Sequence, residues 1–160
     1  MDLQILGFKG EISSVSETLS QINSIKKDGE IIQLLNADAV AGVRHIQHGV
    51  NQAFLAFDRN QNLAKDLSVE ICLRCSAQRQ ISRAFDLLGL KEGYMNLCII
   101  LIDCDDYFSE LSSLFNSDES VLSPDVDKLK DIYSISDEEL EIMDVEDILI
   151  DRISKLVADY

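Results

Sequence analysis

The sequence contains no apolar run long enough to span a membrane, and its first residues carry no secretory signal pattern. It also lacks internal repeats and low-complexity tracts. Apolar residues make up 46% of the chain and charged residues 27%, a balance that excludes the disordered class. With 160 residues, we expect one domain with a core of its own and a cytoplasmic location, away from any membrane.

Basic residues are scarce: 14 Lys and Arg stand against 29 Asp and Glu, for a formal net charge of −15. The imbalance is local, because residues 1–100 hold 11 acidic and 10 basic residues whereas residues 101–160 hold 18 and 4. An acidic protein is a poor partner for nucleic acid, but the near-neutral part could hold a local basic patch. We expect a compact α/β region over residues 1–115. An acidic helical segment over residues 116–160 should pack on the same domain.

Known catalytic motifs are also missing. There is no glycine-rich phosphate loop, no Gly-x-Ser-x-Gly elbow and no kinase signature. Asp103, Asp105 and Asp106 follow a predicted strand, where they could serve a small metal-dependent enzyme, although a helix cap is the commoner use of such residues. These absences favour a binding protein without cofactor or small-molecule substrate. An acidic inhibitor acting through residues 116–160 is a further alternative.

The few cysteines and histidines do not define a metal site. Cys72 and Cys75 lie in an apolar helical run without the glycine-bearing turn of a zinc knuckle, so we expect reduced core cysteines. His45 and His48 are spaced i, i+3 on a predicted helix and could bind a metal, but the sequence places no third ligand. We therefore expect ordinary hydrogen-bonding histidines and no metal.

Apolar periodicity predicts a mixed α/β (α+β) fold, with a small central sheet of at least three strands packed with several helices. The predicted strands cover residues 2–8, 30–35 and 96–103. A helical stripe separates the first two strands, which favours a right-handed crossover with parallel neighbours, although an antiparallel placement is not excluded. Asn36 or Asp38 is expected to cap a helix that ends near Phe57.

The stretch from Ser68 to Gly93 predicts two helices joined by a tight corner. The second helix has one apolar stripe, formed by Ile81, Ala84, Phe85 and Leu88. We expect Ser76 to cap this helix, and Gly89 to end it in the left-handed conformation. Leu87 lies outside the stripe and Leu90 follows the helix. Isolated surface leucines are common, and the alternative that we predict is the edge of a partner-binding surface.

The acidic segment also has helix signals. Ser123-Pro124 is typical of an N-cap followed by proline at the first helical position. Ser136-x-x-Glu139 matches a capping box, and the apolar spacing from Val145 onward predicts a final helix.

Three groups of motifs occur together in the near-neutral part of the chain. The central group comprises Glu70-Ile71, Arg74, Ser76, Gln78-Arg79-Gln80-Ile81, Ala84 and Gly89. The upstream group comprises Leu35-Asn36-Ala37-Asp38, Val40-Ala41, His45, His48 and Asn51-Gln52-Ala53, and a Gly-x-basic-Gly turn is formed by Gly7-Phe8-Lys9-Gly10. Together these motifs resemble one small family, the kinase-binding small subunit of the KEOPS complex (the TPRKB-like family). Ala77 stands where the family usually has glycine.

The resemblance implies a non-catalytic accessory subunit. In the family, this subunit binds and stimulates an atypical small kinase/ATPase and helps hold tRNA by its 3′ CCA end for threonylcarbamoyladenosine formation. The kinase contacts are then expected at Leu87, Leu90 and Arg83. The RNA contacts are expected at Lys9, Asn51, Arg74, Gln78 and Arg79. For Arg74, an ion pair with Glu70 one helical turn earlier is the alternative.

Overall fold

The computed structural model describes the backbone of residues 1–158 and the side chains of residues 1–156. Within this part of the chain lie eight α-helices and a four-stranded antiparallel sheet, which confirms the mixed α/β class. The chain forms two compact units, which are described separately. The sheet unit comprises residues 1–37 and 90–122, and the helical unit comprises residues 38–89 and the chain from residue 123 onward.

The long elements follow one another as predicted in type, with shifted ends, whereas the short strand β4 was not predicted. In chain order they are β1 (Leu3–Ile12), α1 (Val15–Ile25), β2 (Ile31–Asn36), α2 (Val43–Asp58), α3 (Leu67–Ser76), α4 (Ile81–Leu88), β3 (Gly93–Ile102), α5 (Phe108–Leu114), β4 (Asn116–Ser117), α6 (Val126–Tyr133), α7 (Asp137–Ile142) and α8 (Val145–Ala158). Short 3-10 turns cover Ala37–Ala39 and Glu119–Leu122. No helix in the described part of the chain is long and apolar enough to cross a membrane.

The sheet has the strand order β2-β3-β1-β4. The predicted parallel neighbours are wrong: β1 and β2 each pair antiparallel with β3, which lies between them. The physical reason lies in β3, whose residues 97–102 are all buried and therefore need a covered position inside the sheet. Because β1 and β2 both oppose β3, they run in the same direction without touching as neighbours.

One face of the sheet carries the core of the sheet unit. It is formed by buried residues of the strands, α1, α5 and the segments beside them, namely Phe8, Ile12, Ile22, Leu34, Met95, Leu97, Ile99, Leu101, Tyr107, Leu111 and Phe115. The buried carboxylate of Glu30 stabilises one end of this layer, accepting hydrogen bonds from the amides of Lys27 (2.6 Å) and Asp105 (2.9 Å) and from the Tyr107 hydroxyl. The Tyr107 hydrogen bond lowers the pKa of Glu30 and raises that of Tyr107 to about 12.

Gly7 and Gly10 do not form the predicted turn, because both lie inside β1. A Cβ atom on Gly7 would lie 2.5 Å from the carbonyl oxygen of Asp118, and one on Gly10 would lie 2.9 Å from the ring of Phe115. The Asp118 amide donates to the Gly7 carbonyl at 2.9 Å. Because these two positions lack a side chain, the segment that follows α5 can pack directly against β1.

In the helical unit, α2 packs against α3 and α8, and α3 also packs against α4 and α8. The α2–α3 approach is close, since a Cβ atom on Gly49 would lie 2.9 Å from the Cα atom of Cys75. Residues 70–76 of α3 are all buried. This helix is therefore the centre of the helical unit.

The α3–α4 corner is present, but two predicted caps are wrong. The Ser76 hydroxyl donates back to the Leu73 carbonyl at 3.1 Å, and Gln80 begins α4 without a side-chain cap. Ala77 takes the left-handed conformation (φ 55°) that ends α3, which explains the preference for glycine at this position. Gly89 is extended instead, and it is required because a Cβ there would lie 2.5 Å from the Phe85 carbonyl oxygen.

The start of α2 also differs from the prediction. Neither Asn36 nor Asp38 caps it: the N-cap is Gly42, at φ 133°, and Glu146 of α8 accepts a hydrogen bond from the His45 amide at 3.3 Å. A carboxylate from α8 thus accepts from one free amide of α2 and lies favourably at the positive end of its dipole. Arg44 pairs with the same Glu146 at 3.4 Å.

The acidic segment is helical, as expected. Ser123-Pro124 does not cap α6, whose N-cap is Asp125, accepting from the Lys128 amide at 3.2 Å. The capping box at Ser136 and Glu139 is confirmed, with reciprocal hydrogen bonds of 3.1 and 2.8 Å. Within this segment the helices belong to the helical unit, whereas residues 116–122 belong to the sheet unit.

Candidate partner-binding site

The exposed side of α4 is an apolar ridge different from the one predicted. Ile81 and Phe85 are 48% and 44% exposed, whereas Leu87 is only 7% exposed. The buried face is formed by Ala84, Leu87 and Leu88, an i, i+3, i+4 triple. The prediction that Leu87 lies off the core is therefore wrong, because the buried face is rotated by about 60° around the helix from the assumed stripe. We call Ile81 and Phe85 the α4 ridge.

The other two predicted kinase contacts differ in burial. Leu90 belongs to the sheet unit, where it is half-buried and packs against the core. Arg83 is exposed on α4, but it lies two residues from Phe85 and hence about 160° around the helix. Of the three predicted contacts, Arg83 alone is exposed.

Arg74 is buried, and its pairing with Glu70 is confirmed. Its Nε atom lies 2.7 Å from a Glu70 carboxylate oxygen, with both side chains inaccessible to solvent. The second Glu70 oxygen accepts from the Ala64 amide at 2.7 Å, and Arg74 also donates to the Gln61 carbonyl at 3.2 Å. These contacts tie the segment before α3 to the helix itself. The side chain of Arg74 is thus engaged inside the protein and does not reach the surface, where RNA would bind.

The remaining predicted RNA contacts lie in both units. At the α3–α4 corner, Arg79 is exposed and Gln78 is half-buried, donating to the Ser76 carbonyl at 3.4 Å. Asn51 is exposed on α2. Lys9 lies in the sheet unit, 3.0 Å from a carboxylate oxygen of Asp118, and this hydrogen bond raises the pKa of Lys9. The corner is therefore where the structure places an exposed motif arginine beside a motif amide.

The carboxylates suggested for metal binding each serve a different partner in the sheet unit. Asp103 accepts from the Asp2 amide at 2.7 Å, Asp105 pairs with Lys27 at 2.5 Å, and Asp106 accepts from the Phe108 amide at 3.0 Å at the start of α5. Among the described residues, no three histidine, cysteine or acidic side chains form a group that could hold a metal ion. This arrangement gives no support to the metal-dependent enzyme.

The buried imidazole of His45 links three segments of the helical unit. Its Nδ1 accepts from the Ala41 amide at 3.0 Å, so the neutral ring carries its proton on Nε2, which donates to the Cys75 carbonyl at 2.7 Å. Burial lowers the pKa of His45 to about 4. Neither nitrogen is open to a metal. His48 instead contacts the Ser154 hydroxyl at 2.8 Å.

The cysteines are free thiols, and Cys72, Cys75 and Cys98 are buried. Burial raises the pKa of Cys72 and of Cys98 to about 12, so both remain protonated at neutral pH. Protonated thiols are neither nucleophiles nor metal ligands, in agreement with their predicted place in the core.

Comparison with known proteins points to binding of a kinase. A family model described as kinase binding protein CGI-121 matches residues 10–155. The chain is also 36% identical over 118 residues to a protein of Methanocaldococcus jannaschii named regulatory protein Cgi121. That alignment covers 71% of this chain and 77% of the relative.

The rotation of α4 can be tested by introducing the same charge on either face. We expect Leu87→Arg to lower the free energy of unfolding by about 3 kcal/mol or more, because it buries an unpaired charge. Phe85→Arg should cost about 1 kcal/mol or less, since its side chain reaches solvent. Urea denaturation of both variants measures the difference. Equal stability losses would contradict an orientation of α4 in which Leu87 is buried and Phe85 is exposed.

His45 makes stability depend on pH. Its pKa is about 6.5 unfolded and about 4 folded, so protonation favours the unfolded chain. The neutral ring contributes fully to the free energy of unfolding above about pH 6.5. This contribution is lost as the pH falls towards 4, and the loss amounts to about 3 kcal/mol. In urea denaturation at several pH values, the free energy of unfolding should fall more steeply with decreasing pH for the wild type than for His45→Gln. His48→Gln is the control. A His45 imidazole that titrates above pH 6 by NMR would refute this assignment.

Proposed function

Because the chain belongs to the CGI-121 family of kinase-binding proteins, we propose that it is a cytoplasmic accessory subunit of the KEOPS complex. In this role it binds and stimulates an atypical small kinase/ATPase and helps recruit tRNA for threonylcarbamoyladenosine formation. It acts by binding and has no catalysis of its own. The family match over residues 10–155 carries the proposal, and the motifs around the α3–α4 corner support it.

We place the kinase contact on the α4 ridge. Ile81 and Phe85 are one helical turn apart and together present an apolar surface of the kind that forms interface cores. An exposed phenylalanine is a typical anchor, because its large rigid ring loses water contact on binding at little conformational cost. Arg83, which is exposed on another side of α4, is proposed as a peripheral contact.

The tRNA contact is proposed at the α3–α4 corner. Arg79 is exposed there and can reach a phosphate, while the Gln78 amide offers both a donor and an acceptor to an unpaired base. Asn51 and Lys9 remain further candidates. The acidic charge of residues 101–160 disfavours RNA approach on that segment, which leaves the near-neutral corner as the better surface.

The kinase contact can be tested with variants at the α4 ridge. The partner is first identified by purifying the tagged protein from its own cell extract, and affinity is then measured with the purified kinase. Phe85→Glu should weaken binding by about 2 kcal/mol, or about thirtyfold in Kd, because a charge would be buried in the interface. Leu19→Glu is the matched control, since Leu19 is 45% exposed on α1 of the sheet unit.

Three outcomes would count against this assignment. Recovery of no kinase, or ATP turnover by the isolated chain, would overturn the accessory-subunit function. Unchanged affinity of Phe85→Glu, with the kinase bound, would instead show that the contact lies elsewhere on the protein.

The tRNA contact can be tested at Arg79. We expect Arg79→Glu to weaken binding of intact tRNA. The slope of the logarithm of the binding constant against the logarithm of the salt concentration should also become shallower, by about 0.7 per lost single-strand phosphate contact. Arg59→Glu is a control at another exposed arginine of the helical unit. If Arg79 and the CCA end act at one site, removal of the CCA end should not weaken tRNA binding by Arg79→Glu any further. Equal wild-type affinity for intact and trimmed tRNA would exclude recognition of the CCA end.

A further inference from the structure

The two edges of the sheet differ in how the chain covers them. At the outer side of β1, the strand β4 pairs with it, the Asp118 amide donates to the Gly7 carbonyl at 2.9 Å, and Glu119 accepts from the Gly7 amide at 3.3 Å. The other edge is β2, which pairs with β3 alone among the strands of the described chain. The outer side of β2 is therefore the open edge of the sheet.

The hydrogen bonds beside β3 show which of its backbone groups face each neighbouring strand. The Asp103 amide, just after β3, donates to the Asp2 carbonyl at 2.8 Å, on the β1 side. In an antiparallel pair, the residues that exchange hydrogen bonds alternate along each strand. The odd-numbered residues of β3 thus bond to β1, and its even-numbered residues direct their amides and carbonyls towards β2.

The same alternation determines which groups of β2 point outward. The register pairs Ile31 with Ile102, so the odd-numbered residues of β2 bond inward to β3. Ile32 and Leu34 consequently direct their amides and carbonyls away from the sheet. These outward groups form no hydrogen bond with any described residue. Two donors and two acceptors are thereby left at the open edge.

The ends of this open stretch are defined by the chain itself. Glu30, the next outward-facing residue towards the start of β2, already uses both of its backbone groups. Its amide donates to the Lys27 carbonyl at 3.1 Å, and its carbonyl accepts from the Lys26 ammonium group at 3.3 Å. The groups available for pairing are therefore those of Ile32 and Leu34.

The open edge lacks the features that usually prevent pairing with another strand. Residues 31–36 contain no charged residue, proline or glycine, and their register with β3 is continuous, without a bulge. Residues 26–37 hold two lysines and two acidic residues, so the edge is locally neutral although the chain carries a net charge of −15. Charges farther away than about 8 Å are largely screened at physiological salt. A second copy of the strand thus meets little repulsion at this edge.

We propose that β2 pairs antiparallel with β2 of a second copy of the chain, about a two-fold axis at Gln33. In this register, the outward amide and carbonyl of Ile32 bond to Leu34 of the partner subunit, and those of Leu34 bond to Ile32 of the partner subunit. Every outward donor then meets an acceptor, and the two sheets become one continuous sheet. This self-complementarity selects a second copy as the occupant. The edge contains no residue of the α4 ridge or of the α3–α4 corner, so this inference does not rest on the proposed function.

The first test is the oligomeric state of the purified full chain, measured by sedimentation equilibrium at concentrations up to about 1 mM. The wild type should self-associate weakly, with a Kd on the order of 0.1 mM, because a short strand pairing must offset the lost freedom of two molecules. Ile32→Pro should raise this Kd about tenfold or more, since it removes an outward amide that β3 does not use. Ile32→Val keeps the amide and is the matched control.

The second test needs no substitution and uses amide hydrogen exchange of the wild type, followed by NMR. Exchange of the Ile32 and Leu34 amides should slow as the protein concentration rises. The amides of Ile31, Gln33 and Leu35 bond to β3 and are the internal control, so their exchange should not change. A single monomeric species at every concentration would overturn the proposal. Self-association that leaves exchange at Ile32 and Leu34 unchanged, or that is as strong in Ile32→Pro as in the wild type, would also overturn it.

Discussion

The helical unit depends on the burial of α3. Seven consecutive residues of this helix are buried, so every polar group among them must be satisfied inside the protein. Glu70 and Arg74 meet most of this requirement by pairing with each other and with backbone groups of the preceding segment, although the Nη1 atom of Arg74 makes no hydrogen bond to a described residue. Removal of one partner of such a buried pair typically costs about 3–5 kcal/mol, because the other charge is left uncompensated. This constraint explains why two charged residues occupy the centre of the motif without facing a ligand.

The position of α3 in turn determines what the neighbouring helices expose. Gly49 allows α2 to approach Cys75, and His45 holds the carbonyl of the same cysteine. From this fixed helix the chain turns at Ala77 into α4, which packs on α3 through Ala84, Leu87 and Leu88. The opposite side of α4 is thereby left to solvent with Ile81 and Phe85. A rigid support of this kind suits a protein that acts by binding, since little order is lost when the partner arrives.

The exposed side of α4 is apolar and follows a corner that carries Arg79. In the sheet unit, by contrast, the carboxylates after β3 are engaged by neighbouring amides and by Lys27. The number of acidic residues was therefore a poor guide to function, and the partner of each carboxylate was the informative observation.

The sequence by itself determined the type and order of the long elements, because strand alternation, helical spacing and the Ser136–Glu139 capping box are local patterns. Its motifs also identified the family, since they match at many positions. Tertiary structure alone decided that β3 lies between β1 and β2, because strand pairing joins residues far apart in the chain. It also decided which face of α4 is buried. Over eight residues, two apolar stripes were available, and only packing against α3 selects the one that contains Leu87.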